Sequence, residues 1–414
     1  MERYCDYKDS GVKWIGRIPS HWKMKRLIYC GRFLKGKLPS NTNNDGIGFA
    51  IIGASEMNGK APSVFTEDNT IPFCDKSDIL FLWDGANAGL VANNMQGVIS
   101  STAVKFSCQD NEINNLYLYY LLKNYQRYYK DMVGGTTIPH MNIAYINATP
   151  MLVPSMKEQE TIANYLESTT LKIESAIVQQ QKMIDLLNER KQIIISNAVT
   201  QGLNSDTPVK DSGVDWIGKI PEHWEMKRLK TILAVKDKRN TDPEAMLLSV
   251  YTAIGVRPRQ ELEERGNKAS TVINYKIVEK GDLIVNRLLA WMGAYGLSNY
   301  DGVTSPDYDV YSFHADVNKD YYEMLFRNTQ FKSDCYKYGH GIMMMRWRTY
   351  SDEFLNIRVP VPPKDEQNAI AEYLRPQINK IEDGITQCNK LISLLQERKQ
   401  IIINDVVTGK VKVS

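Results

Sequence analysis

Two glycine-containing segments in the second half of the sequence carry side chains that can hydrogen-bond to the edges of nucleic-acid bases. KYGHGIMMMRWR and VNRLLAWMGAYG supply the candidates Lys337, His340, Arg346, Arg348, Arg287 and Trp291. Side chains of these polar types read base edges in the grooves of DNA, and cations also bind phosphates. Because glycine permits a close approach of the backbone to a ligand, both segments are candidate DNA-binding loops.

The first half of the sequence holds a second set of candidates, which also lie beside glycines. They are Lys35 and Lys37 around Gly36, Asn87 in WDGANAG, and Thr136, Thr137, His140 and Asn142 in and after the Gly134-Gly135 turn. For His140 and Asn142, hydrogen bonds that tie this turn to the following helix are an equal alternative. Two different sets of base-reading side chains, called readers below, are therefore expected, one in each half.

The chain lacks the motifs that would let it modify or cleave DNA by itself. Neither the [DNS]PP[YFW] loop of adenine methyltransferases nor the GxxxxGK[ST] phosphate loop of ATPases occurs. A nuclease needs an acid before an E-x-K triplet to hold Mg²⁺, and Asp215 with Glu225 and Lys227 fits this pattern only loosely. The first half has Lys13 and Lys23 at those places. We therefore predict a non-catalytic protein with no metal site and no directly bound cofactor.

A repeated strap precedes each set of readers. KDSGVKWIGRIPSHWKMKRL begins at Lys8, and KDSGVDWIGKIPEHWEMKRL, identical at sixteen of the twenty positions, begins at Lys210. Glycine, proline and tryptophan at fixed places favour an extended, turn-rich segment with aromatic anchors. We expect its tryptophans to pack against the domain that follows.

A repeated long helix follows each set of readers. The copies begin at Val153 and Val361, and apolar residues in each recur alternately at four and three residues, which is the seam of a coiled coil. The seam residues expected to pair are Leu166, Ile173, Ile177, Ile184, Leu187, Ile194, Leu374, Ile381, Ile385, Ile392, Leu395 and Ile402. Ser155 and Glu158 have the spacing of a capping box, and Pro376 is expected to kink or restart the second helix.

Between strap and helix, each half contains short β-like runs and one helical stretch. This pattern predicts an α+β fold: two tandem α+β domains, each followed by a long helix, with pairing of the two helices and an internal pseudo-twofold duplication. The predicted boundaries are 1–154 for the first domain, 155–202 for the central helix, 203–362 for the second domain and 363–414 for the C-terminal helix.

The bulk composition is that of an ordinary globular chain. It has 414 residues, 43% hydrophobic and 24% charged residues and a net charge of +3, so a nucleic-acid surface must be a local patch. No secretory segment and no run of about eighteen apolar residues occurs, and the six cysteines form no CxxC pair. We expect a cytoplasmic protein that does not contact a membrane.

The VPSMKEQETIANYL and NERKQIIISNAVTQG segments, the KDSGVxWIGxIPxHW strap and the GTTIPHMN turn together resemble the specificity subunit of Type I restriction-modification enzymes. The resemblance covers essentially the whole chain. It implies two target-recognition domains that each read one half of a split, asymmetric double-stranded DNA target. It also implies that the two long helices separate these domains and pair as an antiparallel coiled coil. It further implies two methyltransferase subunits docked on the chain and two restriction subunits that complete the nuclease.

The same resemblance implies where the chemistry resides. S-adenosylmethionine would be bound by the methyltransferase subunits, and ATP and Mg²⁺ by the restriction subunits. An alternative from another class is a non-catalytic coiled-coil adaptor for protein assembly. A salt-dependent interaction with a cognate duplex would favour the DNA hypothesis, because phosphate contacts release counterions.

Overall fold

The computed structural model describes residues 2–131, 139–252, 254–261, 271–342 and 347–413. The chain forms two compact units. Unit 1 comprises Met1–Gln180 and Asn389–Ser414, and unit 2 comprises Gln181–Cys388. Each long helix therefore contributes one part to each unit, and the C-terminal end of the chain belongs to unit 1.

The first half of the chain alternates short strands with a few helices. In order, the elements are β1 (Tyr7–Asp9), β2 (Arg17–Pro19), β3 (Lys23–Arg26), β4 (Gly31–Lys35), β5 (Phe49–Ile52), α1 (Ala54–Met57), β6 (Phe65–Thr66), β7 (Phe73–Cys74), β8 (Ile79–Leu82), β9 (Val91–Ala92), β10 (Gly97–Ile99), β11 (Ala103–Cys108), α2 (Asn115–Asp131), α3 (Ile143–Asn147), β12 (Pro150–Val153) and α4 (Met156–Gln201).

The second half repeats this order with changes in its middle. Its elements are β13 (Val209–Asp211), β14 (Lys219–Pro221), β15 (Glu225–Arg228), β16 (Leu233–Val235), β17 (Leu248–Tyr251), β18 (Gly255–Pro258), β19 (Lys276–Val278), β20 (Leu283–Asn286), β21 (Tyr295–Leu297), β22 (Gly302–Thr304), β23 (Tyr308–Phe313), α5 (Lys319–Arg327), α6 (Phe331–Tyr338), α7 (Ser351–Asn356), β24 (Arg358–Val361) and α8 (Lys364–Val407).

The two units are built on the same sheets. An antiparallel sheet with strand order β4-β11-β8-β9 in unit 1 matches β16-β23-β20-β21 in unit 2. The straps form equivalent hairpins, β1 with β2 and β13 with β14. The strand after each strap, β3 or β15, pairs with the strand before each long helix, β12 or β24. The predicted α+β class and internal duplication are confirmed.

Tryptophans of the strap are part of each core. Trp22 and Trp224 are fully buried, in clusters that also contain side chains of the long helices. Gly409 ends α8 and Gly202 ends α4, both with a left-handed backbone, and each lies against one of these indoles. A Cβ at Gly409 would lie 2.4 Å from Pro19 and 3.0 Å from Trp22, so only glycine fits there. Both straps thus pack against a helix end, as the aromatic anchors predict.

The long helices pair in an antiparallel manner within each unit. In unit 1, Lys399 of α8 lies 2.9 Å from Glu174 of α4, and in unit 2, Lys191 of α4 lies 3.4 Å from Glu382 of α8. All of the predicted seam residues are buried or half-buried, whereas Leu171 and Val178 on an outer face are more than half exposed. The burial of these residues agrees with the predicted pairing of the two helices.

The start of each long helix is locked to its domain by a buried glutamine. The side-chain oxygen of Gln159 accepts a hydrogen bond from the Asn114 amide, and that of Gln367 accepts one from the Asn318 amide, both at 2.8 Å. The predicted capping box is also present, with the Ser155 amide 3.1 Å from the Glu158 carboxylate. Helix α4 therefore starts at a fixed place on the first domain.

The proline in the second long helix does not interrupt it. Helix α8 continues from Lys364 to Val407 with Pro376 inside, so the predicted restart is wrong. Leu374 and Ile378 on either side are buried in the core of unit 2, and this packing offsets the hydrogen bond that proline cannot donate. No helix in the described ranges has the length and apolar character needed to cross a membrane.

Candidate nucleic-acid interface

Two of the first-half candidates come together at one end of the main sheet of unit 1. Asp84 follows β8, and its carboxylate lies 2.6 Å from His140 Nδ1 and 3.3 Å from Lys35 Nζ. The backbone also joins the two segments, because the Gly85 amide donates to the Pro139 carbonyl at 3.0 Å. His140 and Lys35 are exposed, so the carboxylate holds both side chains at the surface.

The remaining first-half candidates lie near this cluster or have a structural role. Asn87 is exposed in the turn between β8 and β9, and Lys37 is exposed just beyond β4. A Cβ at Gly36 would lie 2.2 Å from the Ile99 carbonyl oxygen, so the glycine between the two lysines allows close strand packing. Asn142 caps α3 by accepting a hydrogen bond from the Ala144 amide. Thr136 and Thr137 lie outside the described residues.

In unit 2 the equivalent sheet end carries an arginine that is held by a buried acid. Arg287 follows β20, and its Nε and Nη2 donate to the two carboxylate oxygens of Asp309 at 2.8 and 2.5 Å. Asp309 also accepts a hydrogen bond from the buried Lys276 at 3.1 Å. The Asp309 hydrogen bonds raise the pKa of the Arg287 guanidinium above its usual value. This bidentate pair fixes the plane of the guanidinium.

The second candidate loop of unit 2 meets Arg287 through the backbone. His340 and Arg348 are paired, with amide-to-carbonyl distances of 2.9 and 3.0 Å, and the Thr349 amide donates to the Arg287 carbonyl at 3.0 Å. His340 Nδ1 lies 3.1 Å from the carboxylate of Glu353, and both His340 and Arg348 are exposed. Three of the second-half candidates therefore form one surface.

Other second-half candidates are placed differently. Trp291 donates its ring N–H to the Leu288 carbonyl at 3.0 Å and packs edge-on against Tyr336, so this side chain stabilises its own loop. Lys337 is exposed in the last turn of α6. Arg346 and the neighbouring Met343, Met344 and Met345 lie outside the described residues.

The two clusters occupy equivalent places in the fold. The Met141 amide donates to the Trp83 carbonyl in unit 1 in the same way as the Thr349 amide donates to the Arg287 carbonyl in unit 2, both at 3.0 Å. Each unit thus joins the end of a central strand to the loop before its last short helix. Side chains at these places offer hydrogen-bond donors, acceptors and positive charge, which are the groups that recognise base edges.

Sequence reasoning selected several exposed candidate side chains but missed the acids that orient them. Asp84 and Asp309 were visible in WDGANAG and YDVYSF, yet nothing in the sequence showed which cations they would face. The described residues contain no cluster of His, Cys, Asp and Glu that could hold a metal ion. Burial raises the pKa of the Cys30 and Cys74 thiols to about 11, so neither is a ready nucleophile.

Comparison with known proteins gives a consistent result. The model of the Type I restriction modification DNA specificity domain matches residues 19–182 and again 221–389. The MjaVIII specificity subunit of a Type I restriction enzyme from Methanocaldococcus jannaschii is 26% identical, covering 98% of this chain and 97% of the relative. The EcoDI specificity subunit from Escherichia coli is 19% identical, covering 95% and 90%.

A solved structure from the type I R-M system has a similar fold. It superposes with a TM-score of 0.67 at 12% sequence identity, covering 94% of this chain and 98% of the solved chain. At this identity the likeness concerns the fold, and it agrees with the duplicated layout of strap, α+β domain and long helix.

Proposed function

Because this chain belongs to the family of Type I restriction-modification DNA specificity subunits, we propose that its two domains read the two halves of a split DNA target. The chain supplies sequence recognition to such a complex, and catalysis belongs to other subunits. The observation that carries the proposal is the contrast between the two reading surfaces. Unit 1 presents Lys35 and His140 around a carboxylate, whereas unit 2 presents an arginine beside His340.

This contrast favours an asymmetric target. Arginine held in a fixed plane suits the two acceptors of guanine, while histidine and asparagine suit other patterns of donors and acceptors. Equivalent scaffolds with unequal readers are expected to recognise unequal half-sites. A protein-assembly adaptor would not require charged side chains at the same sheet end of both domains, and the matched family favours DNA as the ligand.

The outer faces of the long helices support the proposed partners. Three apolar side chains on α4 and three on α8 are between 42% and 52% exposed, and we call them the outer stripes: Met183, Leu186 and Ile193, and Leu391, Leu394 and Ile401. They lie in the near-identical segments KMIDLLNERKQIII and KLISLLQERKQIII. An apolar surface that is repeated in both helices suits one kind of partner that docks twice.

We assign the outer stripes to two methyltransferase subunits, and two restriction subunits complete the assembly. S-adenosylmethionine would then be bound by the methyltransferase subunits, with ATP and Mg²⁺ on the restriction subunits. Such a complex acts on DNA in the cytoplasm. Each stripe would contribute mainly by burying apolar surface, worth about 25 cal/mol per Å² before the costs of association.

Substitution in each stripe tests the docking assignment. Leu186→Asp and Leu394→Asp would each reduce the number of methyltransferase subunits bound from two to one, and the double variant would bind none, as measured by the mass of the purified complex. Val178→Asp, at an exposed apolar position outside the stripes, is the matched control and should retain both. Full binding by the double variant would refute the assignment.

Mapping of N6-methyladenine in a host without its own methylation tests the DNA function. Co-expression of the chain with its methyltransferase subunit should produce methylation in one split, asymmetric motif. Neither component alone should produce it. A single uninterrupted motif, or methylation without this chain, would contradict the proposed function.

A further inference from the structure

A basic groove lies beside the reading surface of unit 1. It has a volume of about 580 Å³ and is bounded by α2 on one side and the C-terminal end of α8 on the other. Its cations are Lys123, Arg127 and Lys130 of α2 and Lys410 just after α8, and Asp405 is its acidic lining residue. The groove therefore has a local excess of positive charge in a protein of nearly neutral composition.

The three lysine and arginine side chains of α2 are not neutralised by neighbouring acids. Asp405 lies 3.6 Å from Lys410 and so compensates that residue. Over the described ranges, no carboxylate forms an ion pair with Arg127 or Lys130, and both are exposed. Arg127 lies 5.7 Å from the centre of the Tyr128 ring, which supports the guanidinium from one side.

Lys123 lies deeper in the groove and is poised to accept an anion. Its Nζ donates to the Val91 carbonyl at 2.8 Å. Burial, followed by repulsion from Lys399 and Lys130, lowers the pKa of this ammonium group to about 8, although Glu174 opposes the shift. A bound anion would offset the repulsion and raise the pKa again.

The groove adjoins the turn that carries Asp84 and Asn87. That turn joins β8 to β9 and packs on the end of α2, where a Cβ at Gly89 would lie 3.1 Å from the Lys130 amide nitrogen. The contact between Lys123 and Val91 ties β9 to the same helix. The turn that carries Asp84 and Asn87 is therefore packed against the helix that supplies three cations of the groove.

The spacing of the cations matches a row of phosphates. Lys123, Arg127 and Lys130 stand four and three residues apart, so they share one face of α2. At about 1.5 Å per residue they span roughly 10 Å. Successive phosphates of one DNA strand advance about 3.4 Å along the helix axis, so the row spans about three steps between phosphates along that axis.

The corresponding groove of unit 2 is electrically different. It lies between α5 and both long helices, and most of its cations are paired with acids: Lys191 with Glu382 at 3.4 Å, Arg327 with Glu323 at 3.9 Å, and Arg375 with Asp320. Lys123 stands nine residues after Asn114, and Arg327 stands nine residues after Asn318. Each of these asparagines directly precedes its helix. Among the described residues, the cations of the unit 2 groove are thus more fully compensated by acids than those of unit 1.

We propose that the groove of unit 1 binds the phosphate backbone of the DNA next to the half-site that this unit reads. This inference rests on the proposed function and adds a phosphate-binding site to it. The site positions the duplex against the Asp84 cluster without reading bases, because phosphate contacts carry no direct sequence information. The two units consequently contribute unequally to the salt-dependent part of the affinity.

The test compares Arg127→Gln/Lys130→Gln with the unchanged chain, each in complex with its methyltransferase subunits. Affinity for a duplex with the mapped target and for a scrambled duplex is measured by fluorescence anisotropy from 50 to 300 mM salt. We expect about a tenfold loss for both duplexes at low salt. The slope of log K against log salt should become shallower by about 0.9 for each lost phosphate contact.

A variant with the same change of charge serves as the control. Lys219→Gln/Lys230→Gln alters two exposed lysines of the second strap region and should leave the slope unchanged. An unchanged slope in the groove variant would overturn the inference, as would loss of bound methyltransferase subunits, which would indicate an acidic protein segment. Equal affinity of the unchanged complex for target and scrambled duplexes would instead contradict the proposed function.

Lys123 gives a second readout. The charged groups that face it are Lys130 on its own helix, Lys399 on α8 and Glu174 on α4. As pH rises from 7.5 to 9, Lys123 loses its proton and affinity should fall. Lys123→Arg should bind at pH 7.5 and show a flat profile, because arginine stays protonated. A profile that falls equally in both proteins would contradict the role of Lys123.

Discussion

The two units share the residues that support their fold and differ at their candidate DNA-binding surfaces. Gln159 and Gln367 make the same buried hydrogen bond, and Trp22 and Trp224 fill the same place against a helix end. The strand residues opposite Phe81 and Val285 are Val104 in unit 1 and Asp309 in unit 2. A duplicated scaffold can thus keep its packing while one buried apolar position becomes a charged one.

That single difference changes what the surface can present. Trp83 in unit 1 and Arg287 in unit 2 stand at the same place, two residues after the paired Phe81 and Val285, and both accept a backbone hydrogen bond from the facing loop. Unit 2 can hold an arginine there because Asp309 lies beneath it. The two units therefore differ both at the candidate reader, Arg287, and at the buried residue that supports it.

The largest expected effect comes from removing the Asp309 carboxylate, which holds Arg287 in place. In Asp309→Ala, the buried Lys276 and the half-buried Arg287 lose their common partner, so unit 2 should lose about 3–5 kcal/mol of stability. Urea denaturation of the full chain would show this loss, and methylation mapping would show relaxed recognition of one half-site. Asp307→Ala, at an exposed neighbouring position, should change stability by less than about 0.5 kcal/mol. Equal losses in the two variants would contradict the supporting role.

The second-largest expected effect tests whether the glutamines at the starts of the two long helices contribute equally to stability. Gln159→Ala and Gln367→Ala each leave a half-buried backbone amide without its acceptor, and each should cost about 1–3 kcal/mol. Thermal unfolding should show similar decreases for both variants, with neither half-site altered in methylation mapping. A large loss in one variant and none in the other would show that the duplication does not extend to the energetics.

The smallest expected effect is a pH dependence of stability that arises from Lys123, which lies in unit 1. The folded-state pKa of Lys123, about 8, lies below its ordinary value of 10.5, so the unfolded chain binds more protons between these values. Stability should therefore rise with pH in this window, by about 1 kcal/mol between pH 8 and 9, while DNA affinity falls. Denaturation of the unchanged chain and of Lys123→Arg at both pH values would measure this. A stability that rises equally in both would exclude Lys123 as the cause.

The sequence predicted the scaffold but did not show which side chains pair at the candidate sites, and the reason is physical. The heptad seam and the repeated strap are periodic or duplicated, so local patterns specify them. Pairs such as Asp84 with His140 or Arg287 with Asp309 join residues distant in the chain, and no local pattern determines them. Pro376 was misjudged for a related reason, since burial of its neighbours in the core overrides the local preference against helix.

The central claim is that one chain carries two independent readers on a duplicated scaffold. Replacing residues 30–150 with the equivalent segment of another specificity subunit, followed by genome-wide mapping of N6-methyladenine, tests it most directly. The account predicts a motif in which one half-site changes while the other half-site and the gap between them stay the same. A motif changed in both half-sites, or in neither, would contradict it.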